Sequence, residues 1–147
     1  MKFLAIDYGL KRTGLAVSDA GGAMAFPRGT LAMRGKEAFL ASILTFVADE
    51  NIEGIVVGLP SYGNGDESET TRMVRNVAAR LGRHCPVPVY LMPEELSSSE
   101  AESRLRQGGQ KSAQVKRRLD QAAAVLILES FLALPAERRV QVASGTA

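Results

Sequence analysis

The order of apolar segments predicts an α/β fold, a central mixed five-stranded sheet with helices on both faces. Three observations carry this. Residues 3–6 and 14–17 are short apolar runs joined by a polar turn containing glycine, the pattern of a hairpin. Residues 55–59, Ile-Val-Val-Gly-Leu, form a continuous apolar run, as expected of a strand buried on both faces. Helical periodicity then alternates with extended segments, which calls for crossover connections and parallel pairing.

After the hairpin, residues 24–33 read as a third strand, and Pro27 places it at a sheet edge. Phe39, Leu40, Ile43, Leu44 and Val47 recur at helical spacing, so residues 36–50 should be an amphipathic helix. Pro60 opens a loop to residue 65. Asp66 can cap the next helix, with Glu69 returning the capping bond, and Gly82 should end it. Met73, Val74, Val77, Ala78 and Leu81 mark its buried face. Residues 87–92 read as another strand. Ser97 and Glu100 form a second capping pair, opening a helix that stops near Gly108. A last helix over 113–134 carries Val115, Leu119, Ala122, Ala123 and Leu126 on one side, and Pro135 closes it. One domain over 1–134 and a mobile tail over 135–147 are expected.

Composition narrows the chemistry. At 147 residues, 46% of them hydrophobic, the chain can bury a core. No run is long enough to span a membrane, and Asp7 interrupts any leader-like segment. Cys85 is the only cysteine, which excludes an internal disulfide and suggests a cytoplasmic protein. With His84 the only histidine, a metal would be held by carboxylates, favouring Mg²⁺ or Mn²⁺. The net charge of +2 decides nothing by itself. Its distribution says more: residues 103–119 hold Arg104, Arg106, Lys111, Lys116, Arg117 and Arg118 and no acid. Such a segment is either a phosphate-contacting surface or a solvated basic face.

Three acids stand out. Asp7 ends the first strand, where a carboxylate needs water, a donor or a metal. Gly9 allows the chain to bend and a ligand to approach, and Lys11 and Arg12 follow with charge suited to phosphate. Glu94 lies just past the strand over 87–92. In an open sheet, ligands collect beyond the carboxyl ends of parallel strands, so Asp7 and Glu94 should share one end. Asp120 sits on the last helix between a basic and an apolar face; it is either a third member of that site or the partner of Lys116 or Arg117. Asp19 reads as a turn residue after the second strand.

The run Asp7-Tyr-Gly9, Lys11-Arg12, Gly14, Ala16, Ser18-Asp19 resembles the opening of the YqgF/RuvX family. Gly58-Leu59-Pro60 with Gly65, and Lys116-Arg117-Arg118-Leu119-Asp120-Gln121-Ala122-Ala123, are similar to its middle and closing motifs. The resemblance implies a ribonuclease H-like three-layer fold. It implies a metal-dependent nuclease acting on precursor 16S ribosomal RNA, with branched DNA such as a Holliday junction as the alternative substrate. It also implies that Asp7, Glu94 and Asp120 bind Mg²⁺ or Mn²⁺. Lys11, Arg12 and the basic residues from Arg104 to Arg118 would then position the nucleic acid. Ribosomal precursor particles are the implied partners, and the protein would act as a monomer or homodimer. The family pattern Asp-Glu-Arg is replaced here by Pro93-Glu94-Glu95. That change removes a guanidinium fork for phosphate and adds a repelling carboxylate. A non-catalytic nucleic-acid or ribosome-binding module is therefore the competing reading. An actin-like ATPase half, suggested by Asp7-x-Gly9 alone, would need a second lobe that this chain is too short to supply.

Overall fold

The computed structural model describes residues 1–62, 68–96 and 113–142, with backbone alone at 61, 62, 95, 96 and 113–120. The strands are β1 (Phe3–Asp7), β2 (Arg12–Ser18), β3 (Ala25–Ala32), β4 (Gly54–Tyr62), β5 (Val89–Leu96) and β6 (Val140–Gln141). The helices are α1 (Lys36–Asp49), α2 (Glu69–His84) and α3 (Ala113–Leu132). The expected helix between Ser97 and Gly108, the glycine at 65 and the acid at 66 lie outside the described residues.

The strands form one mixed sheet of order β3-β2-β1-β4-β5-β6. β2 pairs antiparallel with both of its neighbours, β1 and β3, whereas β1, β4 and β5 are parallel. Among the described residues the sheet therefore has six strands rather than five. The additional strand, β6, lies in the segment read as a tail and pairs with β5 at Tyr90 and Leu91. The guanidinium of Arg139 lies 4.5 Å from the ring centre of Phe131 and 5.5 Å from that of Phe3, which fastens this segment to the core. Residues 143–147 lie outside the described residues.

Period-two alternation splits β1 between two cores. Leu4 and Ile6 join Phe39, Ile43, Val57, Val74, Ala78 and Leu81 beneath α1 and α2. Phe3 and Ala5 join Val56, Ala124, Ile127, Leu128 and Phe131 beneath α3. The buried stripe of α3 is thus Ala124, Ile127, Leu128 and Phe131; the expected face was wrong by part of a turn, since Ala122 is exposed and Leu126 is 58% exposed. The run from Ala122 to Leu128 is apolar all round, so periodicity alone cannot select its inner face. α2 begins later than expected. Ser68 is its cap: its Oγ accepts a hydrogen bond from the Thr71 N–H at 3.1 Å, and Thr71 Oγ1 donates to the Pro60 carbonyl at 2.8 Å. The helix runs past Gly82 to His84. The bonds from Ser68 and Thr71 anchor the start of α2 to the upper part of β4.

Candidate functional site

The parallel strands do not end level. β1 stops at Asp7, and its pairing with β4 runs from Phe3↔Gly54 to Ile6↔Val57. β4 and β5 continue together through Pro60↔Glu94 to Tyr62↔Leu96. Past Asp7 the sheet drops to a two-stranded ledge, and Glu94 lies within β5 on that ledge rather than beyond the strand's end. Pro93 and Glu95 belong to the same strand. Neither proline of the ledge interrupts a third strand, because β1 has ended and β6 pairs only lower on β5.

Alternation assigns each position to a face. Phe3 and Ala5 lie on the α3 side, which puts Asp7 on that side. Val56 lies there as well, and so does Gly58. On β5 Tyr90 and Met92 pack with the same cluster, which carries Glu94 to the α3 face and positions 93 and 95 to the other. Asp7 and Glu94 are both partly buried.

Gly58 links them. Extending the β1–β4 register by one residue sets Gly58 beside Asp7. A Cβ built on Gly58 would lie 3.4 Å from Glu94 Oε2. The Glu94 side chain therefore leans back along its strand by about two residues, to the level of Asp7. One inter-strand spacing, about 4.8 Å, then separates the β4 position over which this carboxylate lies from the β1 position that carries Asp7. The same Cβ would lie only 2.4 Å from Ile127 Cδ1, so α3 is seated where a side chain at 58 would otherwise stand. Asp120 is on that helix, one turn before the buried Ala124 and about two turns before Ile127. Its side chain lies outside the described ones. Among the described residues no three histidines, cysteines or acids form a metal-binding group.

The turn after Asp7 holds Lys11, which is exposed, and Arg12, which opens β2 at the same end of the sheet. At Gly9 a Cβ would lie 2.4 Å from the Arg12 carbonyl, so the missing side chain serves the chain's own tight turn. Lys116, Arg117 and Arg118 fall in the first two turns of α3, with backbone alone described, and Arg104, Arg106 and Lys111 lie outside the described residues. Asp19 is a turn residue. Its Oδ1 accepts from the N–H groups of Ala23 at 2.7 Å and Met24 at 2.8 Å, and these bonds hold its carboxyl below the usual range.

Oxygen donors on one face at a step in a sheet, with basic residues on the adjoining turn, suit a hard divalent cation and a phosphate. The sequence model of the RuvX family, described as "Holliday junction resolvase", matches residues 1–134. A "Putative pre-16S rRNA nuclease" of Nitratidesulfovibrio vulgaris (strain DP4) is 56% identical over 139 residues, covering 95% of this chain and 98% of that protein. Another so named, from Lawsonia intracellularis, is 44% identical, covering 97% of this chain and 100% of its own. The structure of T. thermophilus RuvC in complex with Holliday junction substrate aligns with a TM-score of 0.54 at 16% identity, covering 89% of this chain and 92% of that one. That likeness concerns the fold alone, which is ribonuclease H-like. A match over nearly the whole chain and relatives this similar place one conclusion beyond the motifs themselves: the chain belongs to the RuvX family.

Proposed function

We propose that this protein is a divalent-metal-dependent nuclease of one domain, whose sheet extends to Gln141, that hydrolyses phosphodiester bonds in precursor 16S ribosomal RNA in the cytoplasm. One observation carries the reading: Glu94, from β5, brings its carboxylate over Gly58, at the level where Asp7 ends β1. Asp7 and Glu94 fit a hard cation as oxygen donors, and the missing side chain at Gly58 lets Ile127 of α3 and the Glu94 carboxylate both sit close over β4. Asp120, on the helix that covers this face, is the proposed third donor. Mg²⁺ or Mn²⁺ bound there would neutralise phosphate charge and lower the pKa of a coordinated water.

The chain's own residues do the rest. The sheet step leaves the α3 side of Asp7 bounded by the ledge of β4 and β5. Lys11 and Arg12 on the adjoining turn hold phosphates of the bound strand, and Lys116, Arg117 and Arg118, with Arg104, Arg106 and Lys111, extend that contact. Such contacts position a backbone without reading sequence. The RNA substrate is supported by the names of the relatives, and branched DNA by the family's description. Precursor ribosomal particles are the proposed setting, with the protein as monomer or homodimer. No helix among the described residues is long and apolar enough to cross a membrane.

Asp7→Asn tests this. It preserves size but removes a charge that a divalent ion needs. Cleavage of a precursor fragment, followed against Mn²⁺ concentration, should be lost while RNA binding persists. Cleavage at the wild-type rate would place the centre elsewhere. Wild-type protein that binds RNA but never cuts it at any Mn²⁺ concentration would favour the binding module suggested by Pro93 and Glu95.

A further inference from the structure

On the face away from α3, helices α1 and α2 stand apart and leave a groove of about 540 Å³. Tyr8, the residue after Asp7, is one of its lining residues. Lys36 borders it from α1, and Arg72, Arg80 and Arg83 border it from α2, against one carboxylate among the described residues, Glu69. Positions 72, 76, 80 and 83 recur at three- and four-residue spacing, so the arginines and Asn76 line one side of α2. From Arg72 to Arg83 the helix rises about 16 Å. The floor is apolar, built from Phe39, Leu40, Met73 and Val77. Tyr8 stands edge-on to Phe39, with ring centres 5.3 Å apart and an interplanar angle of 76°.

We propose that this groove holds a single-stranded segment of the nucleic acid, leading away from the Asp7 end of the sheet. This rests on the nuclease reading above. Four cations facing one acid suit a polyanion, and an apolar floor below them suits the faces of unpaired bases. The volume is that of a pocket for one small ligand, which matches a few nucleotides of one strand. Tyr8 directly follows Asp7 where β1 ends, so a strand leaving the groove would round that end of the sheet to reach the proposed cleavage site on the other face. None of the four cations belongs to the basic segment over 103–119 or to the Lys11–Arg12 turn, so the groove is a second and separate phosphate-binding surface.

The test uses the full chain carrying Asp7→Asn, so that binding is read without cutting. Fluorescence anisotropy would follow labelled single-stranded RNAs of about four and about twelve nucleotides, spanning the site sizes of single-strand-binding folds. Arg80 and Arg83 lie at the end of the groove remote from Asp7. Replacing both with Gln should lower the salt slope for the longer RNA by about 1.4 and weaken its binding about 25-fold at 0.1 M salt, since each phosphate contact of a single strand contributes about 0.7 to that slope. The shorter RNA, held near Asp7, should bind as before. Arg83→Gln alone, at an exposed position, gives a second variant should the half-buried Arg80 matter for folding; it should lower the slope for the longer RNA by about 0.7 and leave the shorter RNA unaffected. An unchanged affinity and slope for the longer RNA, or an equal loss for both lengths, overturns the groove as an RNA path. Polyglutamate competing as well as RNA at equal charge overturns it in favour of an acidic protein partner. Those outcomes leave the nuclease reading standing if the protein without Asp7→Asn still cuts RNA. Failure to bind either length overturns both.

Discussion

Replacing Gly58 with alanine should push α3 off the sheet, and a second substitution should let it return. The new methyl would meet Ile127 Cδ1 at 2.4 Å and Cγ1 at 3.0 Å. Carbon atoms rest about 3.5–4.0 Å apart, so the shortfall exceeds 1 Å. Ile127 is 1% exposed and held among Ala124, Leu128 and Phe131, which limits its escape. Overpacking of this kind costs about 1–3 kcal/mol, offset by about 0.4–1 kcal/mol because alanine restricts the unfolded chain. Gly58 has no positive φ, so the loss is steric rather than conformational. Ile127→Val alone removes Cδ1 and should cost about 0.5–1.5 kcal/mol. In the double variant the closest clash is gone, so its loss should fall short of the sum of the single losses by about 1 kcal/mol, well outside the few tenths expected of independent sites. Urea unfolding of the four proteins measures this coupling directly. Additive losses would refute the steric account. Cleavage adds a second readout, because α3 carries Asp120 about two turns from Ile127. The Gly58→Ala protein should cut slowly, and the double variant should recover. A destabilised single variant with full activity would show that the site does not depend on how closely α3 is seated.

Three further perturbations test the scaffold. Ser68→Ala removes the cap of α2 and should cost about 1 kcal/mol in denaturant unfolding. Arg139 Nε is buried and has no hydrogen-bond partner among the described residues, yet its guanidinium covers Phe131 and Phe3. Arg139→Met keeps an apolar cover and removes the unpaired group, so its melting should stay near wild type, whereas Arg139→Ala should melt lower and loosen β6 in hydrogen exchange. Burial pushes the Cys85 thiol from an ordinary 9.0 to about 11. The unfolded chain then releases its proton first, so this group's contribution is intact below pH 9 and declines as pH rises from about 9 to 11. Iodoacetamide should correspondingly label Cys85 slowly at neutral pH in the native protein and fast in urea; equal rates would show that the thiol is not shielded.

The sequence marked out elements well where period and punctuation agreed. The two apolar runs of the hairpin, the edge strand with Pro27 and the stripe Phe39, Ile43, Val47 are local patterns, and local patterns suffice for them. The inner face of α3 was illegible because alanines, leucines and isoleucine surround that helix on all sides. β6 was missed because two residues give no periodic signal; what holds it is a guanidinium lying over two rings far away in sequence. The capping residue of α2 was misplaced because Asp66 and Ser68 are both good caps, and the choice depends on Thr71 reaching the Pro60 carbonyl.

The reading of β5 carries more weight for function. Pro93 looks like a strand terminator, which made Glu94 look like a loop residue beyond the sheet. In the structure the strand passes through Pro93, where pairing is needed only on the β4 side. A glutamate within a strand has its direction fixed by alternation, whereas one in a loop does not. It is this regularity that takes Glu94 toward Asp7 and sends positions 93 and 95 to the other face. The departure from the family's Asp-Glu-Arg pattern therefore falls on the side of the ledge away from Asp7, the same side as the groove between α1 and α2.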